Sequence, residues 1–409
     1  MPPDATLLIR GGLVFDTAGR SFRAADVRCA GGLIEAVLPP GEGGAAATVL
    51  DAGGAFVLPG LIDCHVHITS AGEAASLNTM VHETPALRAW KAAEHARRTL
   101  HAGITTVRDL GAAERLNIDL ARAIEAGVVE GPRMLAAGLG VTMTGGHGHG
   151  FIAREADGPD EVRKAVREQL RAGATAIKLF ASGGVLTAGV DPRSPSFTQE
   201  ELTAGVEEAH KAFRVVGAHA QATDGIKNAI RAGVDSIEHG VWLDEEALAL
   251  MLERGTYMVA TLTAPWAMAT HGPDEGVPQY MIDKSNAVLE DHARSFEAAV
   301  RAGVRVAMGT DQGTPLNRPG KNAQEILRMA EHGLSPASAL LAATAWAADL
   351  LKVPAGRIEA GKQADFVVLP RDPLTDLSAL ADSDAFTAVV KGGSIVRAAP
   401  RENSIGGTK

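Results

Sequence analysis

The residues best equipped for chemistry in this chain are imidazoles, one lysine and one carboxylate, placed within or at the ends of apolar runs. His65 and His67 close LIDCHVHI, Lys178 lies in AIKLF, His219 in GAHAQ, His239 in SIEHG and Asp311 in GTDQG. His147 sits in TGGHGHG, a segment of low steric bulk that also reads as a plain glycine turn. An unpaired polar group in an apolar setting costs roughly 2 kcal/mol or more, so one such histidine reads as a hydrogen-bonded core residue. Six polar groups ending different runs resist that explanation. His65-Val66-His67 puts two imidazoles on one face of a strand, because side chains alternate with period two. Alone that pair is weak evidence, but imidazole nitrogens with carboxylate oxygens suit Zn and its first-row neighbours, and His219, His239 and Asp311 complete such a set.

Lys178 has the wrong sign for a cation site. Burial and nearby positive charge lower a lysine pKa, and a neutral amine adds CO₂ to give a carbamate whose two oxygens bridge two metal ions. The plainer alternative is a lysine whose head reaches a rim and pairs with an acid.

A repeated phrase shows which elements position these groups. His101-Ala102-Gly103, Arg171-Ala172-Gly173, Arg231-Ala232-Gly233 and Arg301-Ala302-Gly303 each follow a segment of helical periodicity and precede an apolar run. Glycine just past a helix supplies a left-handed turn, and the apolar run that follows reads as a buried strand. The phrases recur 60 or 70 residues apart, the length of two strand–helix units. The pattern predicts strands over 58–68, 104–110, 133–138, 176–181, 215–220, 236–240, 258–262 and 306–311, alternating with helices. Eight such alternations predict an α/β fold, a (β/α)8 TIM barrel. A doubly wound open sheet is disfavoured, because no glycine-rich dinucleotide fingerprint follows the first strand. In a barrel the catalytic groups sit at the C-terminal strand ends, where these residues fall. The short strand-like runs near both termini predict a small β-sandwich domain, giving 1–59 plus 353–409 as one domain and 60–352 as the barrel. The last residues, 401–409, are expected to fray.

Composition narrows the class. The 409 residues are 46% hydrophobic and 22% charged, with a net charge of −10, a globular balance rather than a disordered or fibrous one. Basic residues are scattered, which disfavours a nucleic-acid partner. No apolar run approaches the roughly 18–20 residues of a membrane span, and the N-terminus lacks a secretory pattern. Two cysteines, Cys29 and Cys64, fit a reducing cytoplasm.

The series PGLIDCHVHI, TTVRDLG, TGGHGHG, AIKLFASGG, GAHAQ, SIEHG and GTDQG resembles the amidohydrolase superfamily with a binuclear metal centre. Within it the likeness is to the imidazolonepropionase-like branch, with its prolidases and metal-dependent carboxypeptidases. The resemblance implies that His65, His67 and Asp311 hold one divalent metal and His219 and His239 a second, Zn first, with Co or Mn as alternatives. It also implies a carboxylated Lys178 and a hydroxide between the two metals, and His147 on the substrate carbonyl or carboxylate. The implied reaction is hydrolysis of an amide or peptide-like C–N bond in a small molecule such as a dipeptide or N-acyl amino acid. In that reaction Asp311 carries the proton from hydroxide to leaving nitrogen. Homo-oligomers are expected by the same likeness. Arg108 reads equally as a substrate-carboxylate ligand or as a structural partner of Asp109. Gln221 is a departure, since dipeptide-cleaving members carry Tyr at that position, which leaves non-peptide amides, carbamates and lactones or esters as alternative substrates. A deaminase would place Glu shortly after the strand-5 His and omit the bridging lysine, and a non-catalytic scaffold would have lost ligands. The segment 263–280 reads as a lid in which Trp266 or Tyr280 shapes the leaving-group pocket, or as a simple connector, with His271 solvated.

Overall fold

The computed structural model describes residues 6–75 and 82–398. The expectation of a frayed 401–409 falls outside them. Helices and strands alternate through the middle of the chain, and the helix-ending glycines behave as the repeated phrase predicts. Gly173, Gly233 and Gly303 cap their helices at φ 108°, 94° and 84°, and Gly103 turns at φ 86°. The apolar runs that follow are buried. The helix Gln199–Lys211 starts with a reciprocal cap between Thr198 and Glu201.

Seven of the eight expected runs carry a strand. Leu61–Val66, Ile104–Asp109 and Arg133–Ala136 form one parallel sheet. Ala176–Phe180, Val215–Ala220, Ser236–His239 and Tyr257–Val259 form a second, extended by the short strands Gly140–Thr142 and Ala153–Glu155. The run 306–311 makes only isolated contacts with strands on either side. Ala307 N donates to Met258 O, Cys64 N to Met308 O and Asp311 N to His65 O, at 2.8–2.9 Å. That run ends in Asp311 at φ 59°, a left-handed turn that a continuing ladder does not accept. Thr175 N donates to Ala136 O at 2.9 Å between the two parallel sheets.

Strands from both ends of the chain share one further, eight-stranded sheet. Its order is Ser394–Ala398, Ala388–Lys391, Phe366–Leu369, Phe56–Pro59, Thr6–Asp16, Ser21–Ala30 and Leu33–Leu38, with Thr48–Asp51 also paired to Thr6–Asp16. The expected strand over 58–68 is therefore two strands in two sheets, divided at Gly60. Gly60 N donates to Asp365 O at 2.8 Å, and a Cβ on Gly60 would lie 2.2 Å from Thr105 Oγ1 and 2.9 Å from Asp365 Cβ. No helix among the described residues is long and apolar enough to cross a membrane.

Because Gly60 is wedged between the two sheets, Gly60→Ala must displace Thr105 or Asp365. It should cost about 1–3 kcal/mol and lower the thermal unfolding midpoint by a few degrees. An unchanged midpoint in scanning calorimetry would show that the junction is slack.

Candidate metal centre

The strand ends bring the expected residues to one cavity. It is lined by His65, His67, His147, Lys178, His219, Gln221, His239 and Asp311, among others. All eight are at least nine-tenths buried. Parallel register does the placing, with Phe180 opposite His219 and Ala220 opposite His239. Ring centroids lie 4.5 Å apart for His219 and His239, 5.2 Å for His65 and His239, and 4.6 Å for His147 and His219. Asp311 Oδ1 lies 3.4 Å from His65 Nε2 and 3.3 Å from His67 Nε2. The tightest group of donor atoms is His65, His239 and Asp311, all within 4.8 Å of one another. That grouping cuts across the two ligand sets implied by resemblance, because it takes His239 with His65 and Asp311.

Each imidazole is tied by one nitrogen. His67 Nδ1 meets Gly111 O and His219 Nε2 meets Gly183 O, both at 2.8 Å. Carbonyls only accept, so these nitrogens carry the proton and leave His67 Nε2 and His219 Nδ1 as lone pairs. The Thr261 hydroxyl donates to Ala260 O and so accepts from His239 Nδ1 at 2.7 Å, leaving His239 Nε2 free. His65 Nδ1 faces Glu238 Oε2 at 2.8 Å, leaving Nε2 toward Asp311. Such outer partners fix ring orientation and raise ligand basicity. Backbone strain concentrates here, with His239, Thr261 and Asp311 at φ 72°, 58° and 59°. Each such conformation costs about 1–3 kcal/mol.

Burial holds His65, His219 and His239 well below the usual imidazole range, helped by Lys178 and neighbouring rings, and takes His147 down to about 3. These rings are neutral at neutral pH, as ligands must be. His67 is raised, because its contact with Asp311 outweighs burial. Burial also lowers Lys178 to about 8, against the pull of Glu238 and Asp311. Its Nζ lies 5.4 Å from the Phe180 ring centroid and makes no ion pair with another described residue, so the alternative of a rim lysine paired with an acid is not what the fold builds.

Two expectations need correction. Arg108 is fully buried beneath the cavity and does not line it. It donates to Cys64 O at 2.7 Å, Ser236 Oγ at 3.1 Å and Glu238 Oε1 at 2.8 Å. Buried outside the cavity lining, it does not reach a substrate carboxylate, and its acidic partner is Glu238 rather than Asp109. The segment 263–280 is mostly helix, Thr263–Glu275, followed by the start of Gln279–Ala302. Pro265 falls in the first turn, where a missing N–H costs nothing, Pro273 falls in the last, and Gly276 at φ 81° ends the helix. Ala264, Pro265 and Met268 face the cavity, whereas the Trp266 ring lies under Arg328 at 3.2 Å and beside His271. His271 is exposed. Gln221 lines the cavity with its backbone N on Ser182 Oγ and its Oε1 buried without a partner.

Glu238 was not singled out in the sequence reading, although SIEHG places it beside His239. A strand buried on both faces makes both alternating positions internal. Asp63 and Glu325 are likewise buried beneath the cavity. Asp63 accepts from His65 N, Thr310 N and Oγ1, and Asn322 Nδ2. Glu325 accepts from Leu262 N and from Thr263 N and Oγ1, fixing the chain beside Thr261.

Known proteins decide the lineage. The Amidohydrolase family profile matches residues 56–396. The chain belongs to the amidohydrolase family. It is 34% identical over 371 residues to an ochratoxinase of Aspergillus niger, covering 83% of this chain and 75% of that protein. The crystal structure of A. niger ochratoxinase superposes with a TM-score of 0.85 at 30% identity, over 96% of each chain. A Xaa-Pro dipeptidase structure with methionine bound in its active site gives a TM-score of 0.87 at 33% identity, over 96% of this chain and 99% of that one. A prolidase structure complexed with N-methylphosphonate-L-proline gives 0.89 at 33% identity, over 96% and 100%. This amidohydrolase is a hydrolase acting on carbon–nitrogen bonds. The family generally uses a divalent metal centre.

Burial raises the Glu325 carboxyl from its ordinary 4.5 to about 7, against the hydrogen bonds it accepts. Between those values the unfolded chain has released a proton that the folded chain keeps, so stability falls as pH rises. Urea unfolding at pH 5 and pH 8 should show that decline in the parent and a flatter profile in Glu325→Gln. Equal slopes would mean that the group is ionised throughout.

Proposed function

We propose that this amidohydrolase cleaves a small-molecule amide through two divalent cations, Zn with Co or Mn as substitutes. His65, His67 and Asp311 would hold one and His219 and His239 the other, with a carboxylated Lys178 between them. The observation that carries this reading is the donor set itself. Four imidazoles present free nitrogens toward one cavity beside Asp311, and a buried, unpaired Lys178 at about pKa 8 stands among them. Neutral nitrogens and a carboxylate oxygen fit a first-row divalent ion. A carbamate would turn the one positive side chain of the set into two further oxygen donors.

When bound, such cations supply a Lewis acid for the scissile carbonyl and lower the pKa of water. Asp311 takes the proton of the attacking water at its carboxylate and returns it to the leaving nitrogen, which departs only when protonated. His147, held by Thr187 at 2.8 Å, presents Nε2 to the substrate carbonyl or carboxylate, and Gln221 offers its unpaired amide to the acyl portion. Val185, Leu186, Val241 and Met268 line the rest of the cavity, seating an apolar substituent and excluding water.

A dipeptide or N-acyl amino acid is the substrate class we favour, supported by likeness to Xaa-Pro dipeptidase and prolidase. A second reading, a non-peptide amide, carbamate, lactone or ester, is favoured by Gln221 in place of Tyr and by likeness to an ochratoxinase. We read the two parallel sheets with the run 306–311 as one eight-membered ring, spanning 60–352. The terminal sheet, 1–59 with 353–409, reads as a sandwich, since Leu7, Val27, Val57, Phe366 and Val390 share one apolar cluster. The buried thiols of Cys29 and Cys64 support a cytoplasmic setting, and homo-oligomers are carried over from the family.

The zinc-loaded protein should hydrolyse N-acetyl-L-phenylalanine or Ala-Pro; turnover of aryl carbamates or lactones alone would favour the second reading, and deamination alone would end both. Lys178→Ala should lose most bound metal and activity, with partial rescue by acetate or propionate. Full metal content and turnover would remove the lysine from the centre. Asp311→Asn should lower kcat by about 10²-fold or more with a smaller change in KM, and equal effects on both would argue against proton transfer.

A further inference from the structure

The segment 182–191 separates two spaces. Val185 and Leu186 face the site cavity, while Gly189, Val190 and Asp191 line an outer groove. Val288 lines both. The same segment supplies Gly183 O to His219 Nε2 and Thr187 Oγ1 to His147 Nδ1, each at 2.8 Å. Gly184 lies against the His147 ring, since a Cβ there would be 2.6 Å from Nε2. The backbone path of this segment therefore sets where two of the site's imidazoles point.

The segment has little ladder support of its own, a single bridge from Ser182 to Pro195 and one hydrogen bond from Gly183 N to Ser194 O, besides the turn bonds Val190 N to Thr187 O and Ser194 N to Asp191 O. Its anchor comes from the helix Gln279–Ala302. Lys284 Nζ donates to the carbonyls of Gly184, Thr187 and Val190 at 3.1, 2.7 and 2.5 Å. Those three acceptors use all three ammonium protons. The Tyr280 hydroxyl donates to Leu186 O at 3.0 Å, so four carbonyls within seven residues are gathered by one helix.

We propose that Lys284 is a positioning residue for hydrolysis, which latches the 183–190 backbone as the wall between cavity and outer groove and thereby aims His147 and His219. Bonds from a charged donor are the strong class, and no neutral side chain at that position serves three carbonyls at once. Releasing the latch frees both imidazoles and joins the cavity to the groove. The consequence for turnover rests on the hydrolase reading above, whereas the mechanical claim does not.

The test is hydrogen–deuterium exchange on the full-length protein without substrate, comparing the parent with Lys284→Met, Lys284→Arg and Tyr280→Phe. Losing a charge-assisted anchor should speed exchange of the 183–191 amides by about tenfold or more in Lys284→Met. Exchange in Gln199–Lys211 should be unchanged, and Lys284→Arg should recover part of the protection. Tyr280→Phe removes only a hydroxyl and should give a smaller rise in the same amides, which keeps the proposal testable if Lys284→Met folds poorly. With N-acetyl-L-phenylalanine, Lys284→Met should lose kcat more than it raises KM. Unchanged exchange at 183–191, or a rise spread evenly along the chain, would overturn the latch. Failure to hydrolyse the probe with the exchange result intact would count against the N-acyl amino acid reading alone.

Discussion

Four imidazoles, a lysine and a carboxylate share one buried mouth, and that crowding is the constraint on which the rest of the structure depends. Burial keeps the His65, His219 and His239 rings neutral, and the lysine is pushed toward neutrality beside them. Desolvating so many polar groups without partners would cost roughly 2 kcal/mol or more apiece. The fold meets this by giving each ring one protein partner and leaving the other nitrogen toward the cavity. The two cations we propose would supply partners for the remaining lone pairs.

The layer beneath the cavity keeps those lone pairs aligned. Arg108 and Glu238 form a fully buried ion pair that also holds His65. Such a pair is weak evidence of stability on its own, because desolvation offsets its attraction, so its value here lies in orientation. Asp63 and Glu325 do comparable work for the backbones that carry His65, Asp311 and Thr261. Left-handed conformations at His239, Thr261 and Asp311 are tolerated because these hydrogen bonds over-determine the local path. The segment 183–190 adds a wall, with the Lys284 ammonium on three of its carbonyls.

Much of this was legible in the chain. Glycine after four of the helices and an apolar run after each such glycine marked strands, and polar residues at the strand ends marked the cavity. The rest depended on three-dimensional neighbours that spacing does not encode. Arg108 looked like a ligand for substrate because a charged strand-end residue has that geometry in principle, and only Cys64, Ser236 and Glu238, on strands remote in sequence, show where its donors go. The junction at Gly60 was hidden because Leu58 and Leu61 continue one apolar run while pairing with different sheets. The helix over Thr263–Glu275 was masked by its two prolines, of which Pro265 sits in the tolerant first turn and Pro273 inside the helix near its end. The nearness of His239 to His65 and Asp311 is a matter of ring packing across the cavity, which no one-dimensional pattern displays.

If the shared mouth exists to hold a pair of cations, the most direct measurement is the metal content of the reconstituted protein. Elemental mass spectrometry on protein dialysed after zinc loading should find two ions per chain. One ion or none per chain would contradict a centre built for a pair and leave the buried lysine without its purpose.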